Sequence, residues 1–233
     1  SWEKNYSLNL GLDISLLNRI SISIDWYNRI TKDLLMNKQL NSISGFGSVI
    51  DNIGKMQNKG VELEIRTNNI QKRDFSWSTS FNLSHNKNKI LKLADLSWYT
   101  DGRYIRKEGL SYGTLYLREY AGVDPDNGKP MYYDNVEDEN GNLSKNIVYD
   151  PNDANPIPLV DIYPKVSGGL MNTFNYKFID LSFNLSYSLG GHSYDNGMYA
   201  IQDDGYYYQY NKSTELRRRW QEPGDITDVP RFV

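Results

Sequence analysis

From Tyr6 onward apolar and polar residues take turns. Tyr6, Leu8, Leu10, Leu12, Ile14 and Leu16 share one parity, and Ser7, Asn9, Gly11, Asp13 and Ser15 share the other. Successive side chains of an extended strand point to opposite faces, so this pattern builds a strand with one apolar and one polar face. A helix would need its apolar residues three or four positions apart. After a break at Leu17 and Asn18, Ile20, Ile22, Ile24 and Trp26 alternate with Ser21, Ser23, Asp25 and Tyr27, which predicts an antiparallel hairpin. The pattern returns over Val61 to Ile65, Phe75 to Leu83, Val166 to Tyr176 and Ile179 to Leu189. Weaker strands are predicted at 113–122 and 129–134, joined by the turn-forming Asp124-Pro125-Asp126-Asn127-Gly128.

The connections alternate as well. Short turns are expected at 17–19, 68–73, 124–128 and 177–178, and long loops at 36–56, 91–111, 135–164 and from 192 onward. In an up-and-down sheet this sorts tight turns to one end and long loops to the other, as in outer-membrane barrels. Ten strand residues at ~3.3 Å each, tilted ~45°, rise ~23 Å, close to the ~25 Å apolar band of such a barrel. Trp2, Tyr6, Trp26, Tyr27, Phe75, Trp77, Phe174, Tyr176 and Phe178 lie near strand ends, where aromatic girdles belong. The expected fold is all-β: part of a large antiparallel transmembrane β-barrel, with about eight strands in this chain. Leu10, Ile22, Leu63, Leu83 and Leu185 should then face lipid, and Asn9, Ser23, Glu64, Asn82 and Asn184 the lumen. A soluble β-sandwich, such as a carbohydrate-binding module, shares the alternation but would rarely sort its loops this way.

Composition narrows the field further. No run approaches the ~18 apolar residues of a membrane-spanning helix, and the N-terminus lacks the features of a signal peptide, so the chain reads as an internal piece or a mature product. With no Cys there is no disulfide framework or thiolate metal site. A net charge of -3 gives no footprint for nucleic acid. Closing eight strands on themselves would crowd the long loops at a small mouth, so the expectation is a segment of a larger barrel that continues past Arg231-Phe232-Val233.

No catalytic constellation is found. His85 and His192 stand outside any nucleophile or metal motif and are expected to hydrogen-bond at loop edges. Glu62 and Glu64 share a strand face, a spacing open to acid–base work but better read as a lumen-facing charged ladder with Arg66. The loop from Asp134 to Asn142 gathers oxygen ligands that calcium would favour, yet misses the EF-hand register, and a solvated turn is expected. Arg217, Arg218 and Arg219 are open to gripping lipopolysaccharide phosphate or an anionic substrate, or to pairing within their loop. Gly54 and Gly60 are expected to serve a loop-to-strand transition at positive φ. The most suggestive segment is Asp203-Asp204-Gly205-Tyr206-Tyr207-Tyr208-Gln209-Tyr210, where flat rings beside carboxylates suit sugars or peptides and equally suit packing among loops or against a partner subunit. Trp98, Tyr99 and Tyr104 form a second candidate group. No metal or cofactor site is expected.

Several phrases together carry a resemblance. They run in order: Trp2-Glu3-Lys4 with Gly11-Leu12-Asp13; Asp25-Trp26-Tyr27 with Thr31-Lys32-Asp33-Leu34-Leu35; Asn52-Ile53-Gly54 with Asn58-Lys59-Gly60-Val61-Glu62; Gly122-Val123-Asp124-Pro125 with Gly128; Pro164-Lys165 with Gly168-Gly169-Leu170; Asn172-Thr173-Phe174 with Tyr176; and Arg219-Trp220 with Pro223-Gly224-Asp225 and Thr227-Asp228-Val229-Pro230-Arg231. In these the chain resembles the SusC/RagA family of TonB-linked outer-membrane transporters of Bacteroidetes. The resemblance implies a barrel of about 22 strands around an N-terminal plug, of which residues 1–233 would supply a later part, the plug and final strands lying elsewhere. It also implies TonB-driven import of glycans or peptides with a SusD-like surface lipoprotein as lid, in an outer membrane whose lipid meets the barrel. A lidless siderophore or cofactor receptor is the alternative within the same membrane.

Overall fold

The computed structural model describes residues 2–39, 45, 48–93, 97–203 and 207–232. Its strands are, in chain order, β1 (Lys4–Leu16), β2 (Ile20–Gln39), β3 (Ser48–Gln71), β4 (Phe75–Lys92), β5 (Trp98–Asp101), β6 (Tyr104–Lys107), β7 (Thr114–Leu117), β8 (Tyr120–Val123), β9 (Pro130–Tyr133), β10 (Ile147–Val148), β11 (Ile157–Asp161), β12 (Val166–Tyr176) and β13 (Ile179–Leu189). The chain divides into two compact units, residues 1–114 with 161–192, and residues 115–160 with 193–233. Among the described residues no helix is long and apolar enough to cross a membrane, which says nothing against crossing by strands.

The first unit is an antiparallel wall in the order β1-β2-β3-β4-β12-β13, open at both edges. Directly paired residues share a face, so the register shows whether the alternation of one strand continues in the next. It does. One row reads Leu12, Ile24, Leu63, Leu83, Gly168, Tyr187, and the next reads Ile14, Ile22, Ile65, Phe81, Leu170, Leu185. The opposite face carries the row Asp13, Ser23, Glu64, Asn82, Gly169, Ser186. The five residues expected outward lie on one face, and the five expected inward on the other. On the apolar face Leu10, Leu181 and Leu185 remain about 60% exposed, surface that water does not favour.

The wall departs from the expected strand map in two places. It holds six strands, because β4 pairs directly with β12 and the segments expected at 113–122 and 129–134 fall outside it. Those segments form only four-residue strands, β7, β8 and β9, which at ~3.3 Å per residue reach about half of an apolar band. The tight turn at 124–128 therefore sits within one long insertion, residues 93–165, that leaves β4 and returns on its neighbour β12 at the long-loop end. The other correction is at 36–56, expected as loop, where β2 continues to Gln39 and β3 begins at Ser48. In this upper part both faces carry polar residues, so the ladder goes on where the hydrophobic alternation has stopped.

Tight turns at the other end rest on positive φ at Leu17 (52°), Asn18 (51°) and Lys177 (53°). Gly54 and Gly60 have ordinary φ and lie inside β3, so their role differs from the one expected. A Cβ on Gly60 would meet the Tyr27 phenol at 2.6 Å, and one on Gly54 the Met36 sulfur at 2.5 Å. Each glycine makes room for a neighbouring side chain. Met36 then joins Ile90, Leu93 and Tyr99 in a small buried cluster at the long-loop end.

The second unit has no long ladder. It holds the sheet β10-β9-β8, a single helical turn at Met198–Ile201 and 3-10 turns at Pro151–Asp153 and Thr214–Arg218.

Candidate functional site

The polar face of the wall is where a barrel would present its lumen. Asp25 stands directly opposite Glu62, and Ser23 opposite Glu64. Glu64 is bound by Arg66 at 2.6 Å, the expected charged ladder, while Tyr27 donates to Asn86 at 3.0 Å. Asn9, Asp25, Tyr27, Arg29, Asn58, Glu62 and Asn86 line a concavity of about 490 Å³ on this face. The carboxylates accept hydrogen bonds and charge; no nucleophile or imidazole accompanies them. Both histidines bind backbone carbonyls through Nδ1, His85 that of Lys165 at 2.5 Å and His192 that of Asp161 at 3.3 Å. A carbonyl only accepts, so each Nδ1 carries the proton.

In the insertion, Tyr99 is buried in the Met36 cluster, and burial pushes its phenol pKa up. Tyr104 lies beside Arg106, whose guanidinium is buried over the Tyr112 ring at 3.8 Å and pairs with Asp101 at 3.2 Å. Trp98 is about half exposed. Of this first group, Trp98 offers the most surface to a ligand.

The second unit is built from side chains that close turns. Asp124 accepts from Tyr149, from Asn127 and from the Asp126 amide, and these bonds, Tyr149's first, hold its pKa below the usual carboxylate value. Asp134 accepts from Ser144 at 2.7 Å and from Asn146, with the same effect. Asp138 accepts from the amides of Asn140 and Asn142. Within the loop that invited a calcium reading, the Asp134 and Asp138 carboxylates are thus engaged in turns, and among the described residues no group of three or more His, Asp or Glu could hold a metal.

Two of the quoted phrases meet in this unit. The Trp220 ring lies over Gly128, where a Cβ would come within 2.4 Å of it and where φ is +72°. Trp220 Nε1 donates to the Pro125 carbonyl at 2.9 Å, the Gly224 amide donates to the same oxygen, and the Arg231 amide donates to Gly128. Asp124-Pro125…Gly128 and Trp220…Pro223-Gly224-Asp225 are therefore two halves of one lock. Arg218 pairs with Glu215 at 2.8 Å and Asp228 at 3.6 Å, and Arg219 lies over Phe232. Two of the three arginines serve their own loop.

The tyrosine segment is divided. Asp204 and Tyr206 lie outside the described residues. Asp203 holds Lys212 through both carboxylate oxygens at 2.7 Å. Tyr207 packs between Tyr199 (5.6 Å) and Tyr210 (6.2 Å). Tyr208 is 89% exposed and Tyr210 51%, so these two face solvent. Nearby in the same unit, Tyr120, Pro130, Tyr132, Leu216, Val229 and Pro230 wall a pocket of about 270 Å³ with Asp203 and Asp228 at its rim. Tyr120 donates to the Asp228 carbonyl, and burial, then Tyr132 and Asp228, push its pKa up to about 12. Sequence reading missed Tyr120, Tyr132 and Tyr199; the one signal for the first two was their closeness to the Asp124-Pro125 turn.

With this geometry in hand, comparison with known proteins is decisive. Residues 1–106 match the family described as TonB dependent receptor-like, beta-barrel. The chain is 32% identical over 259 aligned residues to TonB-dependent receptor P3 of Formosa agariphila, covering 99% of this chain and 24% of that protein. It is 34% identical to TonB-dependent receptor SusC of Bacteroides thetaiotaomicron, over 83% of this chain and 20% of SusC. The structure of the RagAB peptide transporter superposes with a TM-score of 0.86 and 31% identity over 99% of this chain and 26% of its own. The chain belongs to the SusC/RagA-type TonB-dependent receptor barrels. It spans about a quarter of the length of these relatives. Within a SusC/RagA-type barrel the six-stranded sheet is a stretch of wall, which accounts for its two open edges.

Proposed function

We propose that this chain is part of the barrel of an outer-membrane importer that takes up oligomeric nutrients, peptide or glycan, and is energised through TonB. The observation that carries the reading is the superposition on the RagAB peptide transporter across 99% of the chain; the SusC relative supports it from the sequence side. The remaining strands and a plug come from the rest of a longer protein, a reading supported by relatives about four times the length of this chain. Apolar rows face lipid, long connections face outside the cell, and the polar face lines the lumen. A SusD-like surface lipoprotein serves as lid. Trp98, Tyr208 and Tyr210, aromatic and exposed on the long connections, contact cargo or that lid.

The test is uptake by cells with the full-length gene deleted, measured with labelled oligopeptides and with labelled oligosaccharides, with and without TonB. One cargo class should be lost in the deletion strain and in the strain lacking TonB. Wild-type uptake of both classes in the deletion strain would overturn the proposal.

A further inference from the structure

The register sorts lysines and carboxylates onto opposite faces, Arg29 and Arg66 staying with the carboxylates. In the part of β1 to β4 running from Lys4 to Leu16 and across the paired rows, the acidic ladder residues Asp13, Asp25, Glu62 and Glu64 all fall on the polar face. The lysines fall on the apolar face, and only at its long-loop end. Above the row Leu10, Trp26, Val61, His85 come Lys59 and Lys87, paired with each other in the row of Leu8 and Asn28, then Lys89 opposite Gln57 in the row of Tyr6 and Ile30. Above these, Lys4, Lys32, Lys55 and Lys92 stand side by side across four strands. At the short-turn end the matching face carries no charge within the ladder: Leu16, Ile20, Thr67, Thr79, Asn172, Phe183.

Like charges directly opposite in a sheet repel. Lys4 has Asp33 at 3.6 Å, and Lys32 lies over the Tyr6 ring at 4.6 Å. Lys59, Lys87, Lys89 and Lys92 are exposed, with no ion pair among the described residues. From Lys59 to Lys55 is four residues, so the belt is ~13 Å deep along the strand and ~9 Å deep after a ~45° tilt, about the thickness of a headgroup layer. From Lys59 to Thr67 is eight residues, ~26 Å along the strand and ~19 Å after the same ~45° tilt, which gives the apolar rows most of the ~25 Å height of an apolar band.

We infer that this outward lysine belt is a docking surface for the phosphate groups of lipid in the outer leaflet, a phosphorylated glycolipid whose acyl chains lie on the apolar rows beneath. Charge complementarity and unbroken continuity with the apolar face select that occupant: an acidic protein would leave the rows below uncovered. The inference rests on the membrane placement proposed above but is independent of cargo. Equal assembly of Leu185→Arg and Asn184→Arg barrels would sink the placement itself, whereas the experiment below addresses the belt alone.

The full-length receptor, extracted in detergent, is assayed for glycolipid phosphate per assembled barrel, and then for binding to phosphatidylcholine vesicles with and without diphosphoryl lipid A. The variant Lys55→Gln/Lys59→Gln/Lys87→Gln/Lys89→Gln is compared with Lys72→Gln/Lys177→Gln in the short turns. A lysine at an anionic surface contributes about fivefold in affinity, so the belt variant should lose more than about tenfold, allowing for incomplete additivity, and the turn variant should change little. Restored binding with arginine at the four positions would confirm that charge is what counts. Equal lipid phosphate in both variants overturns the proposal. So does competition by excess inorganic phosphate, which would mark a free-anion site, or loss of a co-purifying protein with lipid retained. If the fourfold variant fails to assemble, Lys59→Gln alone is read, and unchanged lipid in that assembled barrel overturns the proposal equally.

Discussion

The two units of the chain are held together by different means. The wall has long strands, up to 24 residues in β3, and among the described residues its buried apolar cluster is the small group around Met36 and Ile90. Its cohesion is the ladder, repeated along every strand, with an apolar face that the proposed membrane placement leaves to lipid. The second unit has strands of two to five residues and relies on particular side chains: Asp124 and Asp134 folded back on their turns, and Trp220 over Gly128. A ladder spreads cohesion over many equivalent bonds, whereas a turn network concentrates it in a few. Substitutions in the wall should therefore be graded by face and depth, and those in the second unit should be all or little according to the residue hit.

The largest effect should come from Gly128→Val, which combines a disfavoured positive φ with a Cβ inside the Trp220 ring. We expect a loss of about 3 kcal/mol or more, seen as protease sensitivity confined to the second unit while the barrel still assembles. A variant as resistant as wild type would break the contrast between the units. Next is Leu185→Arg, expected to cost ~2 to 4 kcal/mol if it lies near the bilayer midplane, against little for Asn184→Arg on the other face; urea unfolding from bilayers measures both. Acid offers a third probe. The carboxylates Asp124, Asp134 and Asp138 have lowered pKa values in the folded state. Their stabilisation is present above the unfolded value of about 3.9 and fades as pH falls through the lower folded values. Trp220 fluorescence should report loosening of the second unit below about pH 4, ahead of any change in the wall's strand signal by circular dichroism; a simultaneous loss of both would deny the units their separate bases. The smallest structural effect should be that of Tyr208→Ala with Tyr210→Ala, exposed rings whose removal leaves surface abundance unchanged. Each ring engaged by cargo or lid is worth roughly 0.5 to 1.5 kcal/mol beyond burial, read as weakened uptake or lid co-purification, and unchanged values for both would leave the rings without that role.

The wall was legible because an apolar face on one side and a polar face on the other impose a period of two, and the residues from Leu10 to Leu16, Ile20 to Trp26 and Ile179 to Leu189 obey it. Near the long-loop end backbone pairing continues without that signature, so the end of β2 from Met36 and the start of β3 as far as Met56 read as loop. The strands at 114–117 and 120–123 failed as barrel strands for the opposite reason: short apolar runs mark a strand but say nothing of which sheet receives it. The lock of Trp220 on Gly128 was visible as two quoted phrases, and their meeting, about ninety residues apart, was not. Tyr207 packs on Tyr210 within its own motif, yet its other ring neighbour, Tyr199, stood outside the motif that drew attention to it.

The insertion between β4 and β12 has a consequence for how such receptors diversify. Its two ends arrive on strands already paired, Ser84 with Ser167, so its length and content are decoupled from the strand count, the register and the shear of the barrel. Lengthening a loop whose ends are already together costs only logarithmically in chain entropy. The segment is in effect one part of an exchangeable cassette: residues 93–165 transplanted between related receptors together with the 193–232 segment, whose Trp220 closes on Gly128, should move as one block, while the barrel that carries them keeps the same circumference.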